Sequence, residues 1–216
     1  MLLNNKRIKT IEPFLKNYNI KLTGSEIAKK QDLNQKSVSL FLRELEKNNI
    51  LKKTTQGKNK LYCLNIEDIM ITKSFISAVE NIRTMNFYKE KPLIKEICKK
   101  IKKYNKGIML IFGSYAKRKE KEDSDLDVLI AGKYNKKQIK KISKIYQIEI
   151  NVKNYSPEDF CKLLKESDFL AEEVIKDHII VNNTDGFISV LLECKYEKDS
   201  LVPENKKRSG NNRAQY

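Results

Sequence analysis

The sequence has a single histidine, and its four cysteines (Cys63, Cys98, Cys161 and Cys194) stand far apart with no Cys-x-x-Cys pair. That pattern argues against a structural zinc cluster of closely spaced cysteine and histidine, and it suggests no disulfide framework. Long apolar runs are missing too. No stretch could span a bilayer and nothing resembles a signal peptide, so the expectation is a soluble, cytoplasmic protein. Acidic residues are outnumbered, with 28 Asp and Glu against 44 Lys and Arg, a formal charge of +16. Such a surplus favours nucleic acid or another polyanion as partner, although part of it is general lysine richness. At 216 residues the chain holds one large domain or two small ones.

What the sequence does contain is concentrated between Gly107 and Ile130. An apolar run from Ile108 to Phe112 ends in Gly113-Ser114, where a helix begins. A charged turn follows, and a second apolar run carries Asp125 and Asp127 with only Leu126 between them. Alternate side chains of a strand share a face, so the two carboxylates stand side by side while Leu126 and Val128 face a core. Like charges held that close repel, and the usual reason to keep them is a divalent cation with oxygen ligands, most often Mg²⁺. Gly113 lets backbone approach a ligand closely, and free N–H groups at a helix start favour phosphate. Together they point to a Mg-nucleotide site and phosphoryl or nucleotidyl transfer. Asp123 and Ser124 shape the turn between the two runs.

At these residues the chain resembles the DNA polymerase beta-like nucleotidyltransferase superfamily, in particular its minimal bacterial and archaeal members. Their signature is Gly-Ser, ten residues, then Asp-x-Asp, and here Gly113-Ser114 is followed by Tyr115 to Ser124 and then Asp125-Leu126-Asp127. The resemblance implies a third carboxylate on a later strand of the same sheet. Glu149 in Tyr146–Val152 is the candidate, sharing a face with Asn151 while Ile148, Ile150 and Val152 form the other; the alternative is a solvent-facing edge residue. Two departures stand out, Glu149 where family members commonly have Asp, and Lys119 where related sequences often have Gly. On this reading Asp125, Asp127 and Glu149 are catalytic and hold two Mg²⁺ ions. Gly113 and Ser114 bind the phosphates of an NTP, ATP foremost, with Lys117 or Arg118 as added phosphate contacts or solvated helix charges.

The N-terminal third reads differently. Lys6 to Tyr18 is a short amphipathic helix. Thr23 with Glu26 is a capping box opening a second helix, and a third spans Gln35 to Lys47 with Val38, Phe41, Leu42 and Leu45 at helical spacing. Two short strands, from Ile50-Leu51 and from Leu61 to Leu64, flank a Gly-containing polar loop and predict a hairpin. That order resembles a winged helix-turn-helix over residues 6 to 65. The resemblance places Gln35, Lys36, Ser37, Ser39 and Arg43 on or near the groove-facing surface, and Lys52, Lys53, Lys58 and Lys60 on the wing. Residues 1 to 65 carry 14 basic against 5 acidic side chains, a surplus of nine in under a third of the chain. Wings also mediate protein contacts and dimerisation, which is the competing use.

The expected fold class is α+β. A winged helix-turn-helix (1–65) is joined by a helical linker (66–90) to a polymerase beta-like nucleotidyltransferase domain (91–194) whose small mixed sheet is flanked by helices. Residues 195–216 read as a disordered tail. The linker is offered as a homodimer contact, against burial on its own chain, and His178 as a strand-end residue near the surface. The expected function is metal-dependent transfer of NMP, AMP foremost, to a hydroxyl on protein or RNA, coupled to nucleic-acid binding, with DNA favoured over RNA. In the minimal family some members transfer AMP to a HEPN ribonuclease toxin, so an antitoxin-like role and a HEPN acceptor are included. The rival class is a DNA-binding transcription regulator that binds nucleotide without turnover.

Overall fold

The computed structural model describes residues 3–196. Helix α1 (Asn5–Leu15), a two-residue strand β1 (Leu22–Thr23), and helices α2 (Gly24–Gln31) and α3 (Gln35–Lys47) lead into a hairpin of β2 (Leu51–Gln56) and β3 (Asn59–Leu64). The capping box forms as the sequence predicts: Glu26 N–H donates to Thr23 Oγ1, while Thr23 N–H donates to Glu26 Oε2 at 2.7 Å. Asn34 caps α3, and its four apolar residues Val38, Phe41, Leu42 and Leu45 are all buried. Strand β1, which periodicity does not reveal, adds to β3 to give a three-stranded sheet. This is the winged-helix arrangement.

Helix α4 (Ile69–Glu90) follows, broken from α5 (Pro92–Lys102) at Lys91 because Pro92 cannot donate into a continuing helix. Strand β4 (Asn105–Ile111), the single turn α6 (Gly113–Ala116), β5 (Leu126–Tyr134), α7 (Lys136–Tyr146) and β6 (Ile150–Tyr155) come next. The described chain closes with α8 (Pro157–Glu166), α9 (Phe169–Lys176), β7 (Ile179–Asn182), α10 (Thr184–Leu191) and a π-helical turn, Leu192–Tyr196. The second sheet has the order β6-β5-β4-β7; β5 and β6 are parallel and the other pairs antiparallel.

Strand alternation divides the core. Met109, Ile111, Val128 and Ile130 face α5 and α7. Ile108, Leu110, Leu129 and Ala131 face the opposite way, into a cluster that includes α4, α8, α10 and the interior of the winged helix. One buried cluster therefore runs through both units. At its centre Glu80 of α4 is 1% exposed between Arg83 and His178, with Arg83 Nη1 2.7 Å from Glu80 Oε2. Tyr18, just beyond α1, stacks on Tyr196 with ring centroids 5.1 Å apart.

Four expectations are corrected. His178 is buried rather than near the surface: its Nδ1 lies 2.8 Å from the Val174 carbonyl oxygen, and its Nε2 faces Glu80 at 3.5 Å. The covering helix α4 is distant in sequence, so local alternation could not report it. The strand expected over Tyr146–Val152 begins at Ile150, not Tyr146. Helix α7 continues through Tyr146 and ends at Gln147, whose φ of 52° turns the chain. Cys161 and Cys194 are joined in a disulfide, because α8 packs on the turn after α10 although the two cysteines are 33 residues apart. That same turn keeps Lys195 and Tyr196 in regular structure; the remainder of the expected tail, 197–216, lies outside the described residues. The linker behaves in two ways: Ile76 and Val79 are fully buried, whereas Ile69, Met70 and Ile71 at its start are exposed.

Candidate active site

The end of β4 and the start of β5 are antiparallel neighbours, so Gly113 and Asp127 meet across the sheet, with Phe112 N–H donating to the Asp127 carbonyl at 3.1 Å. Gly113 has φ of +69°, and a Cβ placed there would lie 2.3 Å from Asp127 Oδ2. Only glycine leaves that space, which the carboxylate fills. Asp125 stands one alternation earlier, immediately before β5. Both carboxylates are partly buried on the side of the sheet opposite Leu126 and Val128.

Burial pushes the Asp127 carboxyl above its ordinary range, with Asp125 and then Glu173 adding to the rise and Lys153 and Asn151 opposing it. Two close carboxylates, one of them already resisting its charge, form an oxygen donor set that fits a hard divalent cation. Glu173, on α9, was not singled out from the sequence. It pairs with Lys117 Nζ at 2.5 Å, bringing that ammonium beside the site. Arg118 goes elsewhere: its backbone takes the left-handed conformation and its guanidinium pairs with Glu90 Oε2 at 3.0 Å. Glu120 pairs with Lys91, which pins the loop after α6 to the α4–α5 joint. Ser124 closes the turn as expected, accepting from Lys121 N–H at 2.8 Å.

Glu149 precedes β6 and is exposed, and its carbonyl accepts from Leu126 N–H at 2.8 Å. The residue that β6 sets beside Asp127 is Asn151, whose Nδ2 donates to Asp125 Oδ2 at 3.0 Å. Among the described residues no three acidic, cysteine or histidine side chains lie close enough to share an ion. Asn151 had a sequence signal, since it shares a strand face with Glu149. Glu173 had none, because its approach depends on how α9 packs.

In the N-terminal unit, Gln35, Ser39 and Arg43 of α3 meet Lys58 and Lys60 of the wing around a groove of about 290 Å³, with Tyr62 at its base. Ser37 instead faces a separate hollow of about 360 Å³ between α1 and α3, and Lys36 is exposed outside both. Lys52 and Lys53, at the foot of the hairpin, are held by Glu67 and Glu46.

Residues 93–186 match the family described as polymerase beta, nucleotidyltransferase. The matched stretch lies in the C-terminal unit and contains Gly113, Ser114, Asp125, Asp127, Glu149, Asn151 and Glu173. A solved structure of MepR, a transcription regulator of the Staphylococcus aureus multidrug efflux pump MepA, is similar at 20% identity. The match covers 40% of this chain and 65% of that one, with a TM-score of 0.31, too low to support an inference. No curated protein matches the sequence. None of the described helices is long and apolar enough to cross a membrane.

Proposed function

We propose that this protein is a nucleotidyltransferase that moves NMP, AMP foremost, from an NTP to a hydroxyl on a protein or RNA, and that its winged helix binds nucleic acid, DNA in preference to RNA. The observation that carries the reading is the Asp125–Asp127 pair, with Asp127 packed against Gly113, inside the stretch that matches the nucleotidyltransferase family. Asp125 and Asp127 are the residues to hold Mg²⁺, which when bound neutralises phosphate charge at the reacting centre. Gly113 and Ser114 bind the triphosphate, and Lys117, held beside the site by Glu173, contacts a phosphate oxygen. The acceptor hydroxyl gives up its proton to water as its oxygen bonds to the α-phosphorus, the bond from the α-phosphorus to the bridging oxygen breaks, and pyrophosphate leaves with that oxygen. Positioning by these side chains supplies much of the rate.

The groove lined by Gln35, Ser39, Arg43, Lys58 and Lys60 is the nucleic-acid face, with Lys36, Ser37, Lys52 and Lys53 as peripheral contacts. We keep the division at residues 65, 90 and 194, a cytoplasmic location, a HEPN-type protein as one acceptor, and the exposed start of α4 as a homodimer contact.

A second reading is favoured by one observation, the amide of Asn151 where β6 could have set a third acid. In that case the domain senses nucleotide without turnover and regulates DNA binding. Incubation with Mg²⁺, α-labelled NTPs and candidate acceptors, including the protein itself and tRNA, separates the two. Label transfer lost in both Asp125→Asn and Asp127→Asn supports the enzyme. Absence of transfer alongside nucleotide-sensitive duplex binding supports the regulator.

A further inference from the structure

We infer that Asn151 is a positioning residue for the aspartate pair, and that the site takes one divalent cation per chain rather than two. This rests on the reading of Asp125 and Asp127 as a cation–nucleotide site.

The parallel register of β5 and β6 fixes the geometry. Asp127 is paired with Asn151 and Leu126 with Ile150, so Asn151 stands on the carboxylate side of the sheet. Its Nδ2 donates to Asp125 Oδ2 at 3.0 Å. An amide can do this without a metal, whereas a carboxylate there would add a third repelling charge that only further cation charge could offset. Asn151 therefore holds Asp125 ready for an ion and occupies one of its oxygens in doing so. The remaining oxygens of the pair suit one ion.

A second ion needs another anionic oxygen, and the neighbouring acids do not offer it. Glu149 is exposed ahead of the strand. The Glu173 carboxylate is engaged by Lys117. Asn151 thus works as a donor outside the ion's own ligands, the kind of neighbour that orients metal-binding carboxylates.

Mn²⁺ titration of the full-length protein without nucleotide, read by electron paramagnetic resonance, tests this. The Asp125→Asn/Asp127→Asn double variant supplies the background. Above that background we expect one ion per chain in the parent and in Glu149→Gln. Asn151→Ala should keep the count at one and weaken binding by about tenfold, whereas Asn151→Asp should raise the count to two. Thermal melts without metal confirm that each variant is folded. Two ions in the parent, a drop in count in Glu149→Gln, or unchanged affinity in Asn151→Ala overturns the inference and leaves the cation–nucleotide reading standing. So does an Asn151→Asp protein that is folded and still binds one. No Mn²⁺ above background in the parent, even with a non-hydrolysable NTP added, removes that underlying reading as well.

Discussion

The two units of this chain handle charge in opposite ways. In the C-terminal unit two like charges are pressed together, and each is managed by neighbours: Gly113 makes room for Asp127, Asn151 holds Asp125, and Glu173 brings Lys117 alongside. In the winged helix the charges are many and dispersed. Several are already answered within the protein, as Lys52 and Lys53 are by Glu67 and Glu46. A site that concentrates one sign of charge needs tertiary support at each atom. A basic face needs only a net surplus and a groove, because phosphate attraction is long-ranged and tolerant of geometry.

That contrast predicts how each unit breaks. The largest effect belongs to the aspartates. Either Asp125→Asn or Asp127→Asn should lower label transfer by about 10²-fold or more, with duplex affinity unchanged in a gel-shift assay. Simultaneous loss of duplex binding would show that the two units are not independent. Next, Arg43→Ala, Lys58→Ala and Lys60→Ala combined should weaken duplex binding by roughly 10²-fold at moderate salt and flatten the log–log salt slope by about 2–3. The same treatment of Lys52 and Lys53 should do much less.

The junction between the units gives a third comparison. Glu80 is buried, and although burial opposes its charge, Arg83 and His178 hold its carboxyl below the ordinary range. A carboxyl whose folded value is depressed contributes stability that is present above its unfolded value and is lost as pH falls through the folded one. Glu80→Gln should therefore destabilise by about 3 kcal/mol at neutral pH, with the gap to the parent closing in acid, as urea melts across pH would show. If Glu80→Gln lowers one melting transition of two, the shared core is less continuous than its packing implies.

The disulfide acts at the same junction, since the turn that carries Cys194 also carries Tyr196 against Tyr18. Cys161→Ser/Cys194→Ser, or treatment with a reducing thiol, should cost about 2–3 kcal/mol. Reducing compartments disfavour such bonds, so the thiol form is the one to assay under reducing conditions. The smallest effect has the opposite sign. Asp127 is raised by burial and by Asp125, so its ionised form is disfavoured in the folded state. The sign is then reversed from Glu80: its favourable contribution is complete below the unfolded carboxylate range and is lost as pH rises through the folded value. Asp127→Asn should raise Tm by about 1–3 °C at neutral pH without metal, and the gain should vanish in acid.

Much of this was legible in the chain itself. The Gly113-Ser114 to Asp125-x-Asp127 spacing, the capping box at Thr23 and the apolar rows of α3 are all local signals. Each acts over a few residues, where alternation and helical period decide which side chains share a face. The start of β6 was not legible, because Tyr146–Val152 satisfies a strand pattern while its first residue completes a helix. Nor was the choice between Glu149 and Asn151, since a strand read alone shows which residues share a face but not their level beside the neighbouring strand.

The sequence by itself thus determined the two units, the paired aspartates and the basic surplus of the first third, because those depend on residue type and short spacing. Only the tertiary structure decided that Asn151 meets Asp125, that Glu173 claims Lys117, that His178 is buried against Glu80, and that Cys161 reaches Cys194. These are contacts between segments far apart in the chain, and no local pattern encodes the strand register and helix packing that bring them together.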